Sequence, residues 1–330
     1  MIGALKDRAP RPARAAIRRG TRLLRGPRPA ILMYHRIAHE SFDPWGLAVE
    51  QRNFEAQLQW LARHRTILTV GDFARRHAEG RLARRAVAIT FDDAYASAMR
   101  LAVPLLQRLG AHATVFLPVQ LIAEGCAFWW DELAQIVLGF DGDALRLGDV
   151  EVRVPAPSER DRRWRADAQP DTPRQVLFYA LWSKLRDQLP SALAESMSQL
   201  RAQCACGTPS DGPANPDDIK RLARSDAVDF GSHALTHPSL PRMPVKERKR
   251  EIVQSRQECA ELTGTPPTAF AYPYGDLDEA TRKLVQEAGF DCACTTEDSA
   301  VAARDDVLAL PRLRVGNWDQ RALRARLRYA

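Results

Sequence analysis

Thr90-Phe91-Asp92-Asp93 closes an apolar run that begins at Ala86, and Ser232-His233-Ala234-Leu235-Thr236-His237 places two imidazoles four residues apart. The first stretch reads as a buried strand ending in paired carboxylates. Two neutral His and one carboxylate form the ligand set of a catalytic zinc or similar divalent ion with an open position for water. A second carboxylate can then act as the base toward that water. At i and i+4 the two His fall on one face of a helical turn, so the spacing predicts a short helical segment that offers both rings to one ion. The side chains of Asp92 and Asp93 diverge, one to ligate and the other to face the water. Taken singly, an Asp pair after a strand is often a turn or a helix cap. The co-occurrence of the two motifs argues for chemistry.

A third motif is Phe270-Ala271-Tyr272-Pro273-Tyr274-Gly275. An apolar strand ends there at Pro and Gly, so a sharp turn follows. Its backbone N–H groups are candidates to face an oxyanion, and Tyr274 to wall the site. In this order the three motifs, together with Ile31-Leu32-Met33-Tyr34-His35-Arg36-Ile37, resemble the polysaccharide deacetylases with a NodB homology domain (carbohydrate esterase family 4). The resemblance covers roughly residues 29–120 and 220–316. It implies an α/β fold, a distorted (β/α) barrel, and metal-dependent hydrolysis of an N-acetyl group on a sugar. It also implies roles: Asp92 as catalytic base, Asp93, His233 and His237 as metal ligands, and the Tyr274 N–H as an oxyanion contact. Tyr272 and Pro273 are substrate-contact candidates from the same motif.

Two departures from the family pattern stand out. Many members carry an Arg just before the Pro-Tyr motif that pairs with the base; here the segment is Phe270-Ala271. Many carry a late Leu-x-His whose His is the general acid; here it is Leu310-Pro311-Arg312-Leu313-Arg314-Val315. Arg312 or Arg314, on the last expected strand, is a replacement partner for Asp92 and would lower its pKa. For the acid, His64 and His77 lie in Arg-rich helical stretches, and His112 begins a strand. Active sites of barrels gather at the C-terminal ends of strands. That leaves His35, at the end of the strand Ala30–Tyr34, and His39 beyond it; His35 is the favoured acid or substrate contact.

Working outward, strands are expected at 86–91, 113–117, 226–231, 268–271, 291–295 and 308–315. Helices are expected at 52–63, 95–109, 245–262 and 278–288. Repeated strand-then-helix order predicts a parallel sheet or barrel. Residues 121–218 are too long for a simple connection. They read as a mainly helical insertion or cap between the barrel segments 29–120 and 219–320, with 1–28 a basic arm and 321–330 a tail. Within the insertion, Trp129 and Trp130 are candidates to stack on a sugar ring, set against ordinary helix packing.

The net charge of +7 belongs to one end of the chain. Residues 1–30 carry nine Lys/Arg and one acid, while the remainder carries 39 basic and 40 acidic residues. The arm lacks the roughly 7–15-residue apolar core of a signal peptide. It reads either as a basic helix on an anionic membrane surface or as a solvated tail, whereas no module or basic body surface suggests nucleic acid. A cytoplasmic location, peripheral to the inner membrane, is the expectation. The six cysteines include Cys204/Cys206 and Cys292/Cys294. Without a secretory signal they read as structural thiols rather than disulfides or a zinc knot. The expected cofactor is a divalent metal, zinc first, and the expected partner an N-acetylated sugar or glycan, nucleotide- or lipid-linked. The alternatives are hydrolysis of an O-acetyl ester or formamide, or non-catalytic carbohydrate binding on the same fold.

Overall fold

The computed structural model describes residues 26–329, except 41, 141, 143, 148–149 and 205–208. The basic arm, apart from its last residues, therefore lies outside the described residues, as does Cys206. Seven parallel strands form the framework: β1 (Ala30–Tyr34), β2 (Ala86–Phe91), β3 (Ala113–Leu117), β4 (Val228–Ser232), β5 (Ala269–Ala271), β6 (Cys292–Cys294) and β7 (Leu313–Arg314). Their order is β6-β5-β4-β3-β2-β1-β7, with Thr66–Leu68 added beside the first half of β2. The last expected strand, 308–315, is regular only at its end, yet its earlier part closes the ring. Leu310 N–H donates to Ala293 O and Leu310 O accepts from Thr295 N–H, while β7 pairs with β1. The sheet thereby curls into a distorted (β/α) barrel.

Side-chain alternation decides what fills it. Ile31, Ala86, Ala88, Phe116, Ala269, Ala271, Cys292, Cys294 and Leu310 share one buried cluster. Most are small, as a narrow barrel interior requires. Gly231 obeys the same constraint, since a Cβ there would lie 2.5 Å from the Phe116 ring. The C-x-C spacing of Cys292 and Cys294 thus puts both thiols on the inner face, where they are buried and free. The same parity along β2 runs 86, 88, 90 and on to Asp92, at the C-terminal rim.

Helices Gln51–His64, Ala96–Arg108, Val245–Thr263 and Glu279–Glu287 cover the outside, close to the expected spans. Two expectations gain detail. The tail 321–330 is a helix, Gln320–Tyr329, because Leu323 and Leu327 recur at i and i+4 and are buried; their four Arg neighbours mask that signal. The insertion carries helices Trp129–Gly139, Glu159–Arg163, Pro173–Arg186, Pro190–Arg201 and Pro216–Leu222, but also an antiparallel hairpin, Ala144–Leu147 with Val150–Arg153. Fully buried Arg174 ties it together by donating to Pro155 O, Val137 O and Phe140 O. No described helix is long and apolar enough to cross a membrane.

Candidate active site

Asp92 and Asp93 leave β2 at the rim, where Asp93 and Ala94 turn sharply with φ of 66° and 52°. His233 follows β4 directly. Its Nδ1 lies 2.7 Å from Ala271 O. A carbonyl only accepts, so Nδ1 carries the proton and Nε2 keeps its lone pair for the site. That Nε2 lies 3.8 Å from Asp93 Oδ1, and His237 Nε2 lies 3.5 Å from the same oxygen. The donor atoms of Asp93, His233 and His237 all fall within 4.8 Å of one another.

The two His meet, but not on the helical turn expected. Residues 233–237 form a loop in which Ala234 and His237 adopt positive φ, 63° and 57°. Glu251, fully buried on helix Val245–Thr263, accepts from Leu235 N, Thr236 N and the Thr236 hydroxyl at 2.8–3.0 Å. Those three bonds replace the helical ones and fix the loop. Tyr274 also has positive φ. All five described non-glycine residues in the left-handed region therefore flank this site, as strained backbone often does where geometry is functional.

Arg312 takes the place of the missing Arg before the Pro-Tyr motif. Its Nη1 and Nη2 donate to the two Asp92 oxygens at 2.6 and 2.7 Å. Nε donates to Thr295 O, Nη1 also to Thr90 Oγ1, and the guanidinium lies over the Phe116 ring. Burial favours the neutral Asp92 carboxyl, but Arg312 and His233 outweigh it and hold Asp92 below the usual carboxylate range. Asp93 moves the other way. Burial, then Asp92 and Asp131, push it well above that range. Its buried Oδ1 has no hydrogen-bond partner. An unpartnered carboxylate oxygen beside two imidazole nitrogens, with Asp92 and Asp131 close by, fits a divalent cation.

The insertion builds one wall. The Trp130 ring lies 4.7 Å from that of His237, and its indole donates to Tyr95 Oη, which donates to Asp131. Arg36 pairs with Asp131 at 3.2 Å. Trp129 bonds the Tyr274 hydroxyl. The Tyr274 ring stands 4.6 Å from His237 and under Arg186, which also pairs with Asp276. Trp129 and Trp130 are thus consumed by packing, 8% and 4% exposed, rather than offered as an open platform for a sugar. Tyr272 needs a second correction: strand parity turns it outward onto Phe270, and its hydroxyl donates to Leu308 O. Pro273 is buried in the turn that aims Tyr274. His35 sits partly buried at the end of β1, where burial, Arg312 and Arg314 together outweigh Asp92 and bring it down to about 3.

Glu251, Tyr95, Asp131 and Arg186 also belong to the site and were not singled out in the sequence, and Thr90 entered only as part of the first quoted stretch. Glu251 has no local signal in a helix of alternating charges. Tyr95 and Asp131 adjoin quoted motifs, and that adjacency was the available sign.

Fold and site together define a barrel with a candidate metal centre and a carboxylate–guanidinium pair at its rim. Residues 79–139 and 197–293 match the family model for polysaccharide deacetylases. A 75-residue stretch is 29% identical to the peptidoglycan-N-acetylglucosamine deacetylase of Bacillus cereus, covering 23% of this chain and 27% of that protein. The chain spans about a third of the length of the curated relatives it matches. Among solved structures, Streptococcus pyogenes deacetylase PplD in complex with acetate superposes with a TM-score of 0.60 at 17% identity, over 92% of this chain and 99% of that one. IcaB from Ammonifex degensii gives 0.57 at 17% identity, over 92% and 98%. These two show the fold.

Proposed function

We propose that the chain is a metal-dependent hydrolase that removes an N-acetyl group from a sugar or glycan. The observation that carries this reading is the Asp93–His233–His237 cluster beside an Asp92 held ionised by Arg312. The family match and the N-acetylglucosamine deacetylase among the relatives support the substrate class. The three ligands would hold the ion, zinc by the chemistry of two nitrogens and one carboxylate. Bound there, it acidifies a water and polarises the acyl carbonyl.

The chain's own residues do the rest. Asp92 accepts the proton of the attacking water, with Arg312 fixing its orientation. The Tyr274 N–H donates to the developing oxyanion. His35, neutral at rest, would take the proton collected by Asp92 and pass it to the leaving nitrogen. Burial of Asp92, Asp93 and His233, each under 4% exposed, strengthens every such interaction. We extend the proposal to a nucleotide- or lipid-linked glycan intermediate met at the cytoplasmic face.

The test is acetate release from N-acetylated sugars by metal-stripped protein, then with zinc restored, with Asp92→Asn as control. Metal- and Asp92-dependent release is expected; release unaffected by both would overturn the reading. A second reading, an O-acetyl esterase, draws on His35: an imidazole held neutral is a poor acid, and an alkoxide leaves with less protonation than an amine. Preference for O-acetyl over N-acetyl substrates in the same assay would select it.

A further inference from the structure

The opposite end of the barrel carries a second feature, independent of this chemistry. A cleft of about 1230 Å³ opens between the helices Gln51–His64 and Gln320–Tyr329, lined by Trp60, Arg65, Arg85, Arg321, Arg324 and Arg328. Arg65 precedes the strand Thr66–Leu68, Arg85 precedes β2, and Gly26 and Pro27, also in the lining, lead to β1. The cleft therefore sits at the N-terminal ends of the strands. The length of β2, roughly 17–20 Å for six residues, separates it from Asp92.

These five Arg have no carboxylate partner among the described residues, although most other Arg on the surface do. The one acid in the lining, Asp319, is engaged in capping Ala322 N–H. Arg65 spends its donors on Arg28 O and Leu327 O, and its pKa is lowered by burial and then by Arg85. Arg65 and Arg324 both flank the Trp60 ring, at 5.8 and 5.9 Å. Five like charges gathered around a single carboxylate raise the energy of the protein until a further anion joins them. Residues 1–30 cannot supply it, because they carry nine basic residues and one acid.

We propose that this cleft recognises the phosphates of anionic phospholipid headgroups and docks the N-terminal end of the barrel on a membrane surface. The lipid source, rather than a free phosphate, follows from the surroundings. Gly26 and Pro27 line the cleft, and the sequence that leads to them is the most basic stretch of the chain, so positive charge from both would meet the same negative surface. Trp60 supplies an amphipathic ring of the kind that sits at headgroup depth. Leu323 and Leu327 are already buried against the barrel, so docking is electrostatic and shallow, without insertion of an apolar helix face. The catalytic rim then faces away from the bilayer, toward a soluble nucleotide-linked glycan or the distal sugars of a lipid-linked one.

The experiment is co-sedimentation of the full chain with vesicles of phosphatidylcholine alone or mixed with phosphatidylglycerol, for wild type and for Arg85→Gln/Arg321→Gln/Arg324→Gln. All three positions are exposed, and thermal melting checks the fold. Wild type should sediment with the anionic vesicles only and be released by salt. The triple variant should bind on the order of a hundredfold more weakly, with acetate release unchanged. Equal binding by the triple variant would overturn the proposal and assign binding to residues 1–25. A wild type that ignores vesicles, yet is stabilised by inorganic phosphate when the triple variant is not, would overturn the lipid assignment in favour of a free phosphate.

Discussion

The Arg312 guanidinium grips both oxygens of Asp92, at 2.6 and 2.7 Å, from the segment leading into β7, 220 residues further along the chain. The pair is fully enclosed, so neither partner can be removed without stranding the other's charge. Arg312→Gln should cost about 3–5 kcal/mol of stability and lower kcat by two orders of magnitude or more. Arg312→Lys keeps the charge but loses the fork, and should recover stability better than rate. In the double variant Asp92→Asn/Arg312→Gln no charge is stranded. Melting curves should therefore show a smaller loss than the two single losses added together; strict additivity would rule the pair out as an energetic unit.

Asp93 predicts the response to metal. Zinc in about hundredfold excess over its Kd should stabilise wild type by about 2.7 kcal/mol, and chelator should reverse it. Asp93→Asn should abolish this shift, whereas Asp92→Asn, which leaves all three donors in place, should keep it. Thermal melts with and without zinc, with bound metal counted, check both. An Asp93→Asn protein that still binds one equivalent through His233 and His237 would remove Asp93 from the ligand set.

How far the sequence could carry the reader depends on the reach of each interaction. The barrel strands were legible because their apolar runs and following helices are local patterns. Asp92, Asp93, His233 and His237 were legible because their types are rare together. Arg312 was legible as one of two candidates; only the closing of the ring by 307–315 brings it, rather than Arg314, onto Asp92. The loop at His233–His237 misled, since the i, i+4 spacing suits a helix and the residue that prevents one, Glu251, is 14 positions beyond. Tyr272 misled because membership of a motif says nothing of strand parity. The fate of Trp130 depended on Tyr95 and Asp131, whose contacts no local pattern encodes.

Glu251 carries the third prediction. It is a buried carboxylate with three donors and no paired cation among the described residues, and it holds two positive-φ residues in place. Glu251→Gln presents an amide N–H₂ to groups that are themselves donors. The cost should be about 1–3 kcal/mol. Because the loop aims His237, zinc affinity should also fall, by about tenfold or more. Calorimetric titration separates this from simple loss of stability. Unchanged affinity in a destabilised variant would make Glu251 a fold residue alone.

His35 supplies a pH signature. Burial first, helped by Arg312 and Arg314, lowers it to about 3, below its ordinary value near 6.5 in the unfolded chain. A His depressed in the folded state leaves stability intact above the unfolded pKa. As pH falls below that value the unfolded chain takes up a proton that the native protein refuses. Stability should therefore decline from about pH 6.5 toward pH 3, by at most about 1.4 kcal/mol per pH unit from this group. His35→Gln should flatten that decline relative to wild type while matching it at pH 7.5 to within the cost of the lost packing. Melting temperatures of the two proteins between pH 7.5 and 4.5 give the comparison directly. Parallel curves would mean that His35 is not depressed, and a fraction of imidazolium near neutral pH would then be available as the general acid without a relay.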